Sequence, residues 1–293
     1  MNNYLLSVLL GIIEGLTEFL PVSSTAHLRL SEAVLGIHLD DPFWKMYSIV
    51  IQLGAVLCLP IYFRSRIGKF LSTFPRGERG DGTWLNHPLT LTLIAFVVTA
   101  GPSWLLHKKI GANLESLAVI GWSLLVGGVV MWIVDVRFGR PPASGRFRTE
   151  RMEEMSMFQA VWIGLCQIAS AVFPGTSRSM STIAAGQLAG MSRPSALEFS
   201  FFLSMPTMAA ATFYELFKTL RGHDGETALG RMPGNSREWI TLVIGFVVSF
   251  IVAWGVVAWF MNWVRQRGFT AFAIYRIILG AAVLVWVFKG HLS

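Results

Sequence analysis

The hydrophobic residues of this sequence are grouped in long blocks, separated by short polar segments. A helix needs about 20 mainly apolar residues to cross a bilayer. Six blocks meet this length and contain few charges, so we predict six transmembrane helices. They lie at 43–63, 89–106, 117–134, 195–217, 240–264 and 271–288.

Two further apolar blocks are shorter, and each ends in a proline followed by small polar residues. They lie at 5–20, before Pro21, and at 157–173, before Pro174. Proline interrupts a helix, and broken backbone at membrane depth is tolerated only where it is buried in protein or lines a wet cavity. We therefore predict two re-entrant helical hairpins. The expected fold is an all-α polytopic membrane protein with six crossings and these two hairpins.

The two halves of the chain match at an offset of 153 residues. This offset aligns Pro21 with Pro174 and Ser24 with Ser177. It also aligns the starts of the apolar blocks of the first half with those of the second half. We predict one membrane domain over 1–293, with repeats at about 1–135 and 155–288 joined by a basic loop. An odd number of crossings in each half inverts the second repeat, which brings the two hairpin tips together near the midplane.

Composition supports the membrane assignment and excludes other classes. Charged residues make up 14% and apolar residues 53% of the chain, and the mean hydropathy is +0.55. Soluble domains carry about 25% charged residues. The net charge of +7 comes from bases between the apolar blocks, where juxtamembrane anchoring to membrane lipid explains them and no nucleic-acid partner is needed. The two cysteines show no disulfide or zinc spacing.

The basic residues also predict an orientation. The segments 64–79 and 137–151 each hold five Lys or Arg residues and fall on the same side of the six-crossing arrangement. The rule that basic loops stay in the cytoplasm places both inside, so the first hairpin and its site are expected to open outward. The opposite side holds Lys108, Lys109, Lys218, Arg221, Arg231 and Arg237.

The first candidate site contains two carboxylates in an apolar block. Glu14 and Glu18 are four residues apart, so a helix places them on one face. Two such charges are tolerated together if a cation neutralises them or if they share a proton. Oxygen ligands beside a phosphate suit Mg²⁺ or Ca²⁺. The alternative is that both side chains reach an interface or pair with a base on another helix.

Hydroxyl groups follow the first proline. Ser23, Ser24 and Thr25 stand where a new helix is expected to begin, and free amides at a helix start bind phosphate. An ordinary N-cap would use the same residue types. His27 lies about one turn beyond Ser24, so it is a candidate for proton transfer.

The second proline is followed by a similar set of residues that includes an arginine. The guanidinium of Arg178 matches phosphate oxygens in charge and geometry. Its alternative role is to pair with Glu14 or Glu18 across the repeat interface. No Walker-type Gly-Lys-Ser/Thr loop is found, so nucleotide hydrolysis has no support. The predicted phosphate-binding residues here are Thr176, Ser177, Arg178, Ser179 and Thr182.

Four other polar residues lie inside the apolar blocks. They are expected either to line the cavity or to support its walls, and the pattern does not decide between these roles. These residues are Gln52, Gln167, Glu198 and Arg276.

These motifs resemble a known family. The stretch at 14–27, EGLTEFLPVSSTAH, and the stretch at 174–182, PGTSRSMST, resemble the two signatures of the bacterial undecaprenyl pyrophosphate phosphatases of the bacitracin-resistance type. Shorter matches at 51–54, 198–200 and 272–276 extend the resemblance over nearly the whole chain. It implies a multi-pass protein of the bacterial inner membrane that hydrolyses undecaprenyl pyrophosphate to the monophosphate and recycles the lipid carrier for cell-wall synthesis.

The resemblance also implies roles for single residues. Glu14 and Glu18 would hold the divalent cation, and Ser24 would be the nucleophile or a primary phosphate ligand. His27 would be the proton-transfer partner. The residues implied to bind the phosphates are Ser177, Arg178 and Thr182.

The sequence departs from the family pattern at three positions outside the predicted catalytic set. Ala26 and Met180 stand where the family usually has glycine, and Ser48 stands where it usually has an acid. The first two put the fit at the hairpin tips in doubt. The competing hypothesis is a secondary transporter or lipid flippase, which needs a midplane anion site but no nucleophile. A homodimer is a further expectation.

Overall fold

The computed structural model describes residues 2–77, 83–106, 116–141, 145, 147–221 and 230–289. In these parts of the chain every regular element is a helix, and one isolated β-bridge pairs Thr149 with Met191. The predicted all-α class is therefore confirmed. The basic residues Arg79, Lys108, Lys109 and Arg146 lie outside the described residues.

Twelve α-helices follow one another along the described chain, together with short 3₁₀ turns at Trp84–Asn86 and Met152–Glu154. The helices are α1 (Asn3–Thr17), α2 (Ser24–Val34), α3 (Pro42–Val56), α4 (Cys58–Tyr62), α5 (Arg64–Thr73), α6 (Pro88–Leu105), α7 (Leu117–Phe138), α8 (Met157–Val172), α9 (Arg178–Leu188), α10 (Arg193–Arg221), α11 (Ser236–Arg267) and α12 (Thr270–Phe288).

Six helical segments are long and apolar enough to cross a membrane, which confirms the six predicted crossings. The first of them joins α3 and α4, and the others fall on single helices. Helices α1 and α8 are apolar but shorter, and each is followed by a turn and a second helix. The six segments are Pro42–Tyr62, Pro88–Leu105, Leu117–Phe138, Arg193–Thr219, Ser236–Arg267 and Thr270–Phe288.

Glycines allow the long helices to approach each other closely. Helix α7 packs along α12, α1 along α11, and α8 along α6. A Cβ atom on Gly280 would lie 2.6 Å from the amide nitrogen of Leu125, and one on Gly164 would lie 2.6 Å from the carbonyl oxygen of Ala95. Within lipid, helices associate by such close packing, because apolar side chains gain little by leaving a hydrocarbon solvent.

Asp135 joins four helices at the end of the bundle where α7 stops. Its carboxylate is fully buried. One oxygen accepts hydrogen bonds from Arg193 Nε at 2.7 Å and Gln187 Nε2 at 3.1 Å. The other accepts from the backbone amides of Phe269 and Thr270 at 2.9 and 3.1 Å. One buried charge thus connects the ends of α7 and α9 to the starts of α10 and α12.

Arg66 makes a second set of ion pairs, with Glu198 of α10 and with Glu153. Its Nε donates to Glu198 at 2.8 Å, and its Nη1 donates to Glu153 at 2.5 Å. Burial acts to raise the pKa of Glu153, but the hydrogen bonds from Arg66 outweigh it and hold that pKa below its ordinary value. Arg66 thus joins α5 to α10 and to the 3₁₀ turn at Met152–Glu154. The contact also gives Glu198 a structural role.

Replacing Asp135 by alanine is expected to destabilise the bundle by about 3 kcal/mol, because Arg193 loses its buried partner and the start of α12 loses its acceptor. Thermal unfolding in detergent, followed by tryptophan fluorescence, measures the change. The control is Asp40→Ala, since Asp40 is exposed. Equal unfolding midpoints for the two variants would contradict the role given to Asp135.

Candidate active site

The two turns that follow α1 and α8 meet inside the bundle, where Arg276 of α12 binds both of them. Its guanidinium is fully buried. Nη1 donates to the carbonyl oxygen of Pro21 at 3.1 Å, and Nη2 donates to those of Gly175 at 3.0 Å and Ser123 at 3.1 Å. Arg276 therefore supports the walls of the site, which decides between the two roles expected for it.

Small residues make room for this arrangement. Gly175 has a φ of +92°, and a Cβ atom there would lie 2.7 Å from the carbonyl oxygen of Ile120. A Cβ atom on Gly127 would overlap Nη2 of Arg276. A direct hydrogen bond from Ser179 Oγ to the carbonyl oxygen of Leu20, at 3.0 Å, also joins the two turns. The close contact of the turns thus depends on positions that exclude larger side chains.

Glu18 lies at the centre of the site and contacts both turns. One of its oxygens accepts a hydrogen bond from Ser24 Oγ at 2.5 Å. The other accepts from Arg178 Nη2 at 2.8 Å, which forms an ion pair between residues of the two halves. All three side chains are largely buried. The structure therefore brings a hydroxyl, a carboxylate and a guanidinium into direct contact, and in it Arg178 forms the alternative pairing with Glu18 that the sequence allows.

Glu14 and Arg178 leave polar atoms without partners in the same region. Glu14 is fully buried, and neither of its oxygens has a hydrogen-bond partner among the described residues. Nη1 of Arg178 is also buried and unpartnered within this set. Buried polar groups are nearly always bonded, so such atoms indicate a binding partner that completes the site. A carboxylate calls for a cation, and a guanidinium calls for an anion.

The two helices that start at the site have matching N-caps. Ser23 caps α2 and Ser177 caps α9, and each accepts a hydrogen bond from the amide three residues on, at 3.4 and 3.3 Å. Both serines have positive φ values, 74° and 71°, a conformation that non-glycine residues rarely adopt. Such strain is found at functional sites, where the surrounding structure holds it.

This geometry corrects one detail of the predicted repeat. The offset of 153 residues matched Ser24 with Ser177, but the N-caps show that Ser23 is the counterpart of Ser177. The residue that starts each helix is then Ser24 in α2 and Arg178 in α9. The alignment slips because the second turn has one more residue between its proline and its cap.

His27 is bonded to groups other than Ser24. Its Nδ1 lies 2.7 Å from the carbonyl oxygen of Ser23, and its Nε2 lies 2.7 Å from the hydroxyl of Tyr275. The ring planes of His27 and Tyr275 are nearly parallel, inclined by 13°, with centroids 5.6 Å apart. In this arrangement Ser24 bonds to Glu18, so the expected pairing of Ser24 with His27 is not formed. Tyr275 is a site residue that the motifs did not indicate, although it precedes the buried Arg276.

The remaining predicted phosphate ligands divide into three groups. Thr25 and Thr176 are half-buried next to the two caps. Ser177 and Ser179 bond to each other through their hydroxyls at 3.0 Å. Thr182 instead donates to the carbonyl oxygen of Arg178 and pairs with Ser200 Oγ at 2.7 Å. Its hydroxyl therefore serves helix packing in this structure.

Two departures from the family pattern have structural explanations. Ser48 donates to Glu32 Oε1 at 2.9 Å, and Glu32 also pairs with Arg29 at 3.0 Å. An acid at position 48 would face the buried carboxylate of Glu32. The second departure concerns Met180, whose methyl group lies beside Gly127. Its side chain therefore packs against α7, which removes the expected crowding at this tip.

Two other polar residues of the apolar segments have limited roles. Gln167, the counterpart of Glu14 at the predicted offset, is buried and donates to Thr207 Oγ1 at 3.3 Å. Gln52 is half-buried in α3. Gln167 thus occupies in the second half the place that a carboxylate occupies in the first, so the site is chemically asymmetric.

Comparison with known proteins identifies the family of this chain. The family model described as "Bacitracin resistance protein BacA" matches residues 7–282. An undecaprenyl-diphosphatase of Koribacter versatilis is 64% identical over 290 residues, which cover 99% of this chain and 100% of the relative. Relatives of the same name from Sorangium cellulosum and Caldanaerobacter subterraneus are 44% and 38% identical, over 95% and 94% of this chain and 84% and 93% of their own lengths. The chain belongs to the bacitracin resistance protein BacA family.

Proposed function

We infer that this protein is a membrane phosphatase that hydrolyses undecaprenyl pyrophosphate to undecaprenyl phosphate and inorganic phosphate, and so recycles the lipid carrier for cell-wall synthesis. The observation that carries this inference is the contact of Glu18 with both Ser24 and Arg178. It combines a hydroxyl nucleophile, a proton acceptor and a phosphate-binding cation in one buried site. The names of the relatives give the same substrate.

The positive groups of the site suit a pyrophosphate. Arg178 has one guanidinium nitrogen that is buried without a partner among the described residues. The N-termini of α2 and α9 both start at the site, and free amides at a helix start favour phosphate. Phosphoryl transfer depends mainly on positioning and on neutralising charge in a site shielded from water. These groups provide both.

We propose that Ser24 attacks the terminal phosphorus while its hydroxyl proton passes to Glu18. The bond from Ser24 Oγ to phosphorus forms, and the bond from that phosphorus to the bridging oxygen breaks, which releases undecaprenyl phosphate. Water then hydrolyses the phosphoserine to free serine and inorganic phosphate. Glu18 suits the role of base because it already accepts the Ser24 hydrogen bond. The alternative is direct attack by water, with Ser24 as a phosphate ligand.

The carboxylates also fit a divalent cation. Glu14 is buried, and both of its oxygens lack partners among the described residues. Glu18 lies one turn further along, on the same face of α1. We propose that both would bind Mg²⁺ or Ca²⁺, which accept oxygen ligands and keep several waters or phosphate oxygens. No group of three or more His, Cys, Asp or Glu residues was found among the described residues, so substrate and water would complete the ligand set. The ion would neutralise pyrophosphate oxygens.

An apolar groove beside the site offers a path for the start of the prenyl chain. It has a volume of about 360 Å³, and His27 lies at its wall one turn beyond Ser24. This volume is at the small end for ligand sites, so it would hold only the first part of the chain and leave the rest in the bilayer. The other lining residues are Leu9, Ile13, Leu30, Ser31, Val34, Leu35 and Leu279.

We further propose that the two halves form an inverted repeat with re-entrant hairpins. Support comes from the matching order of helices and from the exchanged contacts, since α1 packs on α11 while α8 packs on α6. The matching caps of α2 and α9 and the shared contact with Arg276 add to it. Cysteines placed at the start of α1 and the end of α2, and at the start of α8 and the end of α9, test this arrangement when they are labelled from one side. A re-entrant hairpin leaves both of its ends on the same side.

We also propose placement in the bacterial inner membrane with the site open to the outside, supported by the distribution of basic residues in the sequence and by the family. A homodimer is a further proposal. Labelling of single cysteines in intact cells tests the orientation, and light-scattering mass in detergent tests the dimer. A monomer mass would reject the dimer without affecting the phosphatase.

The main competing function is transport or flipping of a lipid. An inverted repeat with broken helices favours it as much as it favours a phosphatase. The bonded Ser24 and Glu18 favour the phosphatase, since a transporter needs no nucleophile. Phosphate release in detergent, where transport has no meaning, separates the two functions.

Replacing Arg178 by alanine is expected to lower phosphate release from undecaprenyl pyrophosphate by about 100-fold or more, because the site loses its main phosphate-binding charge. Arg178→Lys should retain part of the activity, since it keeps the charge but loses the two-pronged geometry. Malachite-green assays in detergent give the rates, and Arg237→Ala is the control at an exposed position. Activity of Arg178→Ala within twofold of the wild type would reject the proposed clamp.

Replacing Ser24 by alanine is expected to abolish the phosphoenzyme. Wild type is mixed with substrate labelled in the terminal phosphate and quenched in acid within one turnover, and the label should be recovered on residue 24. Glu18→Gln should slow its formation, because the serine proton then has no acceptor. Ser72→Ala, at an exposed site in α5, is the control. Turnover by Ser24→Ala at the wild-type rate would exclude serine attack.

Removing divalent cations with a chelator is expected to stop hydrolysis, and Mg²⁺ or Ca²⁺ should restore it. The cation should also raise the thermal unfolding temperature of the wild type, because a ligand that binds only the folded state stabilises it. Glu14→Gln is expected to need about 10-fold more cation for both effects, an effect size typical of altered metal sites. Unchanged activity and unfolding temperature in chelator would reject the cation site.

A further inference from the structure

We propose that Tyr275 is a positioning residue for His27, which it holds in a single tautomer and orientation at the mouth of the active site. The proposal rests on the function inferred above and on the proton-transfer role that the motif at 14–27 indicates for His27. It adds a residue of α12 to a site otherwise built from the turns after α1 and α8.

The hydrogen bonds of His27 determine its tautomer. Nδ1 lies 2.7 Å from the carbonyl oxygen of Ser23, and a carbonyl only accepts, so in the neutral ring Nδ1 carries the hydrogen. Nε2 is then the acceptor, and the hydroxyl of Tyr275, at 2.7 Å, must donate to it. A neutral imidazole held in this way has a single tautomer, in which Nε2 is the basic nitrogen and faces the Tyr275 hydroxyl.

The relative orientation of the two rings is consistent with this hydrogen bond. The ring planes are nearly parallel, inclined by 13°, with their centroids 5.6 Å apart. Hydrogen bonds at both ring nitrogens leave the imidazole little freedom to turn. Such outer partners commonly determine which nitrogen of a histidine reacts.

The neighbours of Tyr275 connect this pair to the reacting groups. Arg276, the next residue, holds the carbonyl oxygen of Pro21, while the carbonyl oxygen that holds His27 belongs to Ser23, directly before Ser24. Consecutive residues of α12 thus contact Pro21 and His27, which lie before and after the proposed nucleophile in the sequence. Removing the Tyr275 hydroxyl would release His27 and leave the Arg276 contacts in place.

Tyr275→Phe removes only the hydroxyl that bonds to His27 and keeps the aromatic ring. We expect kcat on undecaprenyl pyrophosphate to fall about 10-fold, the size seen when outer partners of functional histidines are removed, with KM within twofold of wild type. In a His27→Ala background the same change should have no further effect, since residues that act as a unit are not additive. Tyr214→Phe is the matched control, because Tyr214 is 43% exposed and Tyr275 is 45% exposed.

NMR of protein with ¹⁵N-labelled histidine measures the tautomer of His27 independently of turnover. The sequence has six histidines, and His27→Ala assigns the signal of His27. The wild type should show the form protonated at Nδ1, and Tyr275→Phe should show a mixture of tautomers.

Three results would overturn the proposal. The first is a loss of kcat on adding Tyr275→Phe to His27→Ala that equals the loss in the wild-type background. The second is a rise of KM with kcat unchanged. The third is a His27 signal that is the same with and without the Tyr275 hydroxyl. Absence of hydrolysis by the wild type would instead refute the proposed function, and the tautomer measurement would still decide the geometry.

Discussion

The buried guanidinium of Arg276 is the contact on which the rest of the site depends. Two turns from opposite halves of the chain contain carbonyl groups that accept no hydrogen bond within a helix. One side chain from α12 donates hydrogen bonds to both of them. An arginine suits this task because its donors are arranged in a rigid plane and it keeps its charge. Without it, the polar backbone of Pro21 and Gly175 would remain unpaired inside an apolar bundle, at a cost of a few kcal/mol for each group.

The close approach of the turns leads directly to the pairing of charges between the halves. Once the turns meet, Arg178 of α9 reaches Glu18 beside Ser24. Each partner makes burial of the other tolerable, while Glu14 and one nitrogen of Arg178 keep unfilled bonding capacity. This unfilled bonding capacity fits the proposal that a cation and a phosphate bind here together, as a pyrophosphate with its metal ion would.

Packing around the turns explains why the chemistry is confined to one place. Glycines let α7, α11 and α12 approach their partners closely, so the bundle is rigid where the turns are held. The asymmetry of the two halves then gives each turn its own role. The first supplies carboxylates, Ser24 and His27, whereas the second supplies Arg178, with Gln167 in place of a second Glu14.

The amino-acid sequence determined the all-α class, the six crossings and the set of residues that form the site, because membrane burial imposes long apolar blocks and makes every charge within them conspicuous. Glu14 and Glu18 were identified on these grounds, and Ser24 and Arg178 from the polar segments that follow the two prolines. Sequence spacing did not determine which of them pair. Hydrogen-bond partners depend on side-chain direction and on segments more than 150 residues apart, so only the tertiary structure assigned Ser24 to Glu18, His27 to Tyr275, and Arg276 to both turns.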